Sequence, residues 1–124
     1  MPNKNNVMKL PAQSERHLAK SITFEQYAQS VETLMNFAQK DCGGSCVCAQ
    51  VLLSTYNGSE FQLDIVDLNR LDEKLYSHAL VVIRGRIELN IEPQMTFANE
   101  DKRFEKLWAQ WRHYHVKCRW RGER

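Results

Sequence analysis

Apolar positions recur along this chain with two different periods, and the change of period marks out its elements. Phe24, Tyr27, Ala28, Val31, Leu34, Met35 and Ala38 return at steps of three and four. That spacing predicts one buried stripe on a helix of about five turns. Gln26, Gln29, Glu32, Asn36 and Lys40 fall on its solvated face. Thr23 and Gln26 have capping-box spacing, in which each side chain satisfies a backbone N–H that the first turn leaves unpaired. Gly43 and Gly44 are expected to stop this helix through a left-handed cap, with Ser45 capping the next. The second helix carries Val47, Cys48, Val51, Leu52, Thr55 and Tyr56 on one face and closes at Asn57-Gly58. The short connection makes the two antiparallel neighbours.

Beyond Gly58 the pattern shortens. Phe61, Leu63 and Ile65 alternate with Gln62 and Asp64, which predicts a short strand. Leu68, Leu71, Leu75, Ala79 and Val82 define a third helix that begins at Asp67 or Asp72. Ile83, Gly85, Ile87, Leu89 and Ile91 then alternate with Arg84, Arg86, Glu88 and Asn90, a second strand pattern that Pro93 ends. A last helix from about Asn99 presents Phe104, Leu107, Trp108 and Trp111 to the core. Asn99 is its expected cap, with Glu100 and Asp101 suiting the helix dipole. The expected class is α+β and mostly helical. Four helices and a two-stranded β-ribbon follow in the order α-α-β-α-β-α.

Composition narrows this to one domain. The 124 residues are 43% hydrophobic, enough for a single core without metal or disulfide staples. The polar stretch 1–20, with Pro2 and Pro11, is expected to be a disordered basic leader. Residues 21–112 form the helical domain and 113–124 a basic aromatic tail. No stretch has signal-peptide or membrane-spanning character, so a cytoplasmic location is expected, with the four cysteines as reduced thiols.

The net charge of +2 conceals an uneven distribution. Lys4, Lys9, Arg16 and Lys20 against Glu15 make the leader basic, and Arg112, Lys117, Arg119, Arg121 and Arg124 against Glu123 do the same for the tail. The body between them is acidic. A dedicated DNA-binding domain would be basic through its folded body.

The landmarks from Ala38 to Arg112 resemble a family of small bacterial proteins of unknown function, often encoded among accessory genes of mobile elements. Ala38, Gln39, Asp41 and Gly43 lead into a helix ending at Tyr56, Asn57 and Gly58. Asp67, Leu68, Leu71 and Asp72 then open the next helix. The resemblance covers roughly residues 30 to 112. It implies a fold and a setting, and no activity. Cys42, Cys46 and Cys48 depart from the polar or basic residues such proteins carry after the glycine.

Catalytic chemistry finds little footing. Cys46 and Cys48 with His113, His115 and Cys118 are zinc-type ligands, but two positions on a helix point apart, and Cys-x-Cys is tighter than structural zinc spacing. Cys46 sits where a helix N-terminus lowers a thiol pKa, with no base placed beside it by sequence. His17, His78, His113 and His115 never make HExxH, and no P-loop, GxGxxG or nucleophile elbow occurs. Neither enzymatic activity nor a cofactor or metal site is expected.

Two binding surfaces remain. The acidic body, with Asp64, Asp67, Asp72 and Glu73, suits a protein or nucleoprotein partner. A non-catalytic accessory factor, such as an inhibitor of a host defence system, fits that surface. The alternative is a small nucleic-acid-binding protein. Its site would be Trp111, Arg112, Lys117, Arg119, Trp120 and Arg121, joining phosphate-binding charge to base-stacking rings. Three tryptophans near the C-terminus would also suit a homodimer contact.

Overall fold

The computed structural model describes residues 20–120, with side chains through Cys118. Residues 1–19 of the leader and Arg121 onward lie outside the described residues. Five α-helices are placed: α1 (Phe24–Ala38), α2 (Ser45–Tyr56), α3 (Glu73–Glu88), α4 (Arg103–Gln110) and the short α5 (Val116–Trp120). Single 3-10 segments at Ile65–Arg70, Pro93–Thr96 and Arg112–Tyr114 connect them.

The β-ribbon and the α+β class are therefore wrong, since the described residues contain no strand. Phe61 makes an isolated antiparallel bridge to His115. Ile65 opens a 3-10 segment, and Ile83 through Glu88 complete α3. The alternation misled because Gly85 has no side chain. With Gly85 counted as buried, Leu75, Ala79, Val82 and Gly85 continue one helical stripe. Asn90, with φ of 54°, ends that helix in the left-handed conformation asparagine tolerates.

The Thr23 capping box forms with both of its bonds, Thr23 N–H to Gln26 Oε1 at 3.0 Å and Gln26 N–H to Thr23 Oγ1 at 3.1 Å. The α1–α2 turn differs from expectation. Gly44, not Ser45, is the N-cap residue, and it has right-handed geometry. Ser45 is fully buried, and its hydroxyl fastens the turn instead. It donates to Phe37 O at 2.7 Å and accepts from Cys42 N–H at 3.1 Å. α4 begins at Arg103, later than Asn99, and the Asp101 carboxylate accepts from Arg103 N–H at 2.9 Å.

α2 is the central element. Val47, Cys48, Ala49, Val51, Leu52 and Leu53 are buried around its whole circumference, with α1, α3 and α4 packed about it. Each such aliphatic side chain contributes about 1.5–3 kcal/mol when taken out of water. The sequence signal is the absence of any charged residue from Cys42 through Ser59. A helix surrounded by neighbours has no face on which a charge could stay hydrated.

Candidate functional site: an open apolar groove beside α3

The segment between α2 and α3 is held by polar side chains from both of its ends. Gln50, 2% exposed on α2, accepts from Asp64 N–H at 3.2 Å. It also donates to Asp67 Oδ2 at 2.9 Å. Asp64 caps the 3-10 segment through Val66 N–H at 3.1 Å, and Asp72 caps α3 through Leu75 N–H at 2.8 Å. A buried amide with both ends engaged carries no desolvation penalty for unpaired atoms, so Gln50 can fix the register of this segment.

That register decides which apolar side chains turn inward. Leu75 is buried, and Leu68 and Leu71 are half-buried against the core. Ile65 and Val66 turn outward and are 72% and 73% exposed, facing Tyr76 and Leu80 on α3 at 41% and 37%. Together with Leu68, Asn69, Leu71 and Glu73 they line an open groove of about 720 Å³. Single exposed aliphatics are ordinary, whereas a contiguous set around a concavity marks a binding surface.

The acidic residues expected to bind protein divide on this surface. Glu73 lines the groove. Asp64 and Asp72 are exposed but serve as caps. Asp67 is half-buried and holds Gln50. The residues sequence reasoning missed are Ile65, Val66, Tyr76 and Leu80. The adjacent pair Ile65-Val66 is the available signal, because a strand of alternating faces would have buried only one of them.

Of the basic aromatic set, the side chains of Trp111, Arg112 and Lys117 fall within the described residues. Trp111 is docked, its Nε1–H donating to Ala38 O at 3.0 Å and so closing the C-terminal end of α1. Arg112 and Lys117 are exposed. The side chains of Arg119 and Trp120, and all of Arg121, lie outside the description. His115 and Val116 pack onto the body. His115 Nε2 meets Glu60 Oε1 at 3.0 Å, while Val116 N–H donates to Glu60 O at 2.8 Å. His115 Nδ1 accepts from Lys117 N–H at 3.1 Å, so the neutral ring carries its proton on Nε2 and donates it to Glu60. Trp108 stands edge-on to Phe61 with ring centres 4.6 Å apart.

The thiols are all free. Cys42 is exposed, and the Ser45 hydroxyl, 3.2 Å from its Sγ, together with the backbone N–H groups of Gly44 and Ser45, holds it below the ordinary thiol range. Burial pushes Cys48 up to about 12. Burial, and then a hydrogen bond with Cys46, raise the Tyr114 hydroxyl. Among the described residues no group of three or more His, Cys, Asp or Glu is placed to hold a metal ion. Ser30 Oγ and His78 Nδ1 lie 2.8 Å apart, but Ser30 is 3% exposed between α1 and α3, so this pair ties two helices together.

The chain belongs to a family of unknown function (DUF7673), which matches residues 28–112. The match runs from within α1 to just past α4 and includes every residue lining the groove. No curated protein and no solved structure matches the chain. No helix among the described residues is long and apolar enough to cross a membrane.

Proposed function

We propose that this DUF7673 protein is a non-catalytic interaction protein that docks onto a protein partner through the groove between the Ile65–Arg70 segment and α3. The outward placement of Ile65 and Val66 carries the reading. Gln50 and the Asp64 cap hold that pair in place, so a partner need not order the segment before binding it. An accessory factor of a bacterial mobile element acting in the cytoplasm, for instance an inhibitor that binds a host defence protein or nucleoprotein complex, fits a small chain whose prominent surface feature is a docking groove.

Photo-crosslinking in the native cell from a reactive residue at position 66, compared with position 36 on the exposed face of α1, tests the reading. A discrete adduct with another protein from position 66, absent from position 36 and lost on Ile65→Asp, is expected. Equal or absent adducts from both positions would overturn it.

The second reading is nucleic-acid binding by the C-terminal segment, supported by the exposure of Arg112 and Lys117. Trp111 is half-buried, and its Nε1–H edge is engaged by Ala38 O. Electrophoretic shifts at two salt concentrations with Arg112→Ala and Lys117→Ala test it, because phosphate contacts weaken steeply with salt.

A further inference from the structure

We infer that the groove takes a short amphipathic helix carrying two or three apolar side chains in successive turns and a Lys or Arg at the end that lies over Glu73. This rests on the groove being a protein-docking site and names the form and charge of what enters it.

The form follows from the walls. One wall is α3, and the other is the 3-10 segment Ile65–Arg70. Both bond their backbones internally, and no strand edge exists among the described residues. An extended peptide laid in this groove would bury N–H and C=O groups against side chains that offer almost no partners. Asn69, Glu73 and the Tyr76 hydroxyl are the polar groups of the lining. Each unsatisfied group costs roughly 1–3 kcal/mol, so the occupant must satisfy its own backbone, and a helix does that. The length follows from α3, where Glu73, Tyr76 and Leu80 share one face over two turns, about 10 Å.

The charge follows from position. Glu73 lies at one end of the lining, in the first turn of α3, with exposed Asp72 before it. No cationic residue lines the groove. Lys74, one position on, is turned by about 100° about the helix axis, away from the face that Glu73, Tyr76 and Leu80 share. At the far end Arg84 is paired with Glu88 at 2.7 Å. A basic side chain is therefore favoured over Glu73 and an acidic one disfavoured.

Three synthetic 16-residue peptides test this by amide shifts of the full ¹⁵N-labelled chain. The first is a helix with leucines at i, i+3 and i+7 and two lysines at one end. The second has the same composition with the leucine spacing scrambled. The third replaces the lysines by glutamates. The first should shift Ile65, Val66, Tyr76 and Leu80 and bind more tightly than the others. Glu73→Lys should weaken it by about threefold and strengthen the glutamate peptide by a similar factor, as expected for one partly exposed ion pair. Equal binding of the scrambled peptide, shifts outside the groove, or an unchanged preference in Glu73→Lys would overturn the inference. So would a concentration-dependent dimer abolished by Val66→Asp, or position-66 crosslinks into residues 1–19, since the groove would then be filled by a second copy or by the chain's own leader. A partner adduct in the cell without peptide discrimination overturns only the helix assignment; no adduct overturns the docking reading itself.

Discussion

Gly85 of α3 lies flat against the ring of Tyr27 of α1. A Cβ at residue 85 would come 2.2 Å from Tyr27 Cδ1 and 2.6 Å from Cγ. Tyr27 is fully buried there, and its hydroxyl donates to Ile91 O just beyond the end of α3. One side chain thus sets both the closeness of the two helices and the path of the chain leaving them.

Gly85→Ala should destabilise the protein by about 1–3 kcal/mol, because the ring has no free volume into which to retreat. The gain in helix propensity, about 1 kcal/mol, offsets part of this. Urea denaturation followed by circular dichroism measures the difference. A midpoint equal to or above that of the parent would mean that the helices separate without cost.

Stability should also fall in alkali. Burial raises Tyr27 from 10.0 to about 12, and Cys48 from 9.0 to about 12. Both groups fold neutral. The folded chain therefore holds more protons than the unfolded chain above pH 9, and stability falls as pH rises from 9 towards 12. Cys48→Ala should delay the onset of this fall to near pH 10, where the tyrosines raised by burial, Tyr27 and Tyr114, contribute. Melting temperatures measured at half-unit steps from pH 8 to 12 would show it; an identical onset in the variant would count against the assignment.

Arg103 joins α4 to α1 through a forked pair with Glu32, one arm at 2.9 Å, and a second carboxylate on Asp101 at 2.9 Å. Its guanidinium also lies 4.2 Å from the centre of the Phe97 ring. Arg103→Lys keeps the charge but loses the fork, and should cost about 1 kcal/mol, given that Glu32 is partly exposed. Denaturation at low and high salt checks the prediction: the loss should shrink with added salt, and an unchanged stability at low salt would contradict it.

Among the thiols, Cys42 should be modified first by iodoacetamide and Cys48 last. A pKa of about 12 against 9.0 leaves Cys48 with about a thousandfold less thiolate at neutral pH, before burial is counted. Mass spectrometry of a time course orders the sites, and modification of Cys48 ahead of Cys42 would refute the geometry.

Deleting residues 113–124 is a poor probe of nucleic-acid binding, because it strips His115 from Glu60 and Phe61. Arg112→Ala with Lys117→Ala is expected to leave the melting temperature within about 4 °C, as exposed residues do. Any salt-sensitive shift of DNA or RNA that the pair abolishes would then report contact and not unfolding.

The sequence by itself determined the elements whose signals are local. The capping box at Thr23 and the stripe from Phe24 to Ala38 gave α1, and the uncharged run after Asp41 marks α2 as central. Asp72 was legible as a cap of α3. Tertiary structure decided what depends on a distant neighbour. Gly85 looks like a strand position until the Tyr27 ring beside it supplies the reason for a missing side chain. Ser45 looks like a cap until Phe37 O claims its hydroxyl. The groove is of the same kind. Ile65 and Val66 face solvent because Gln50, fourteen and more positions earlier, fixes the backbone at Asp64 and Asp67. Periodicity records which side chains share a face, but only the packed neighbours decide whether that face meets protein or water.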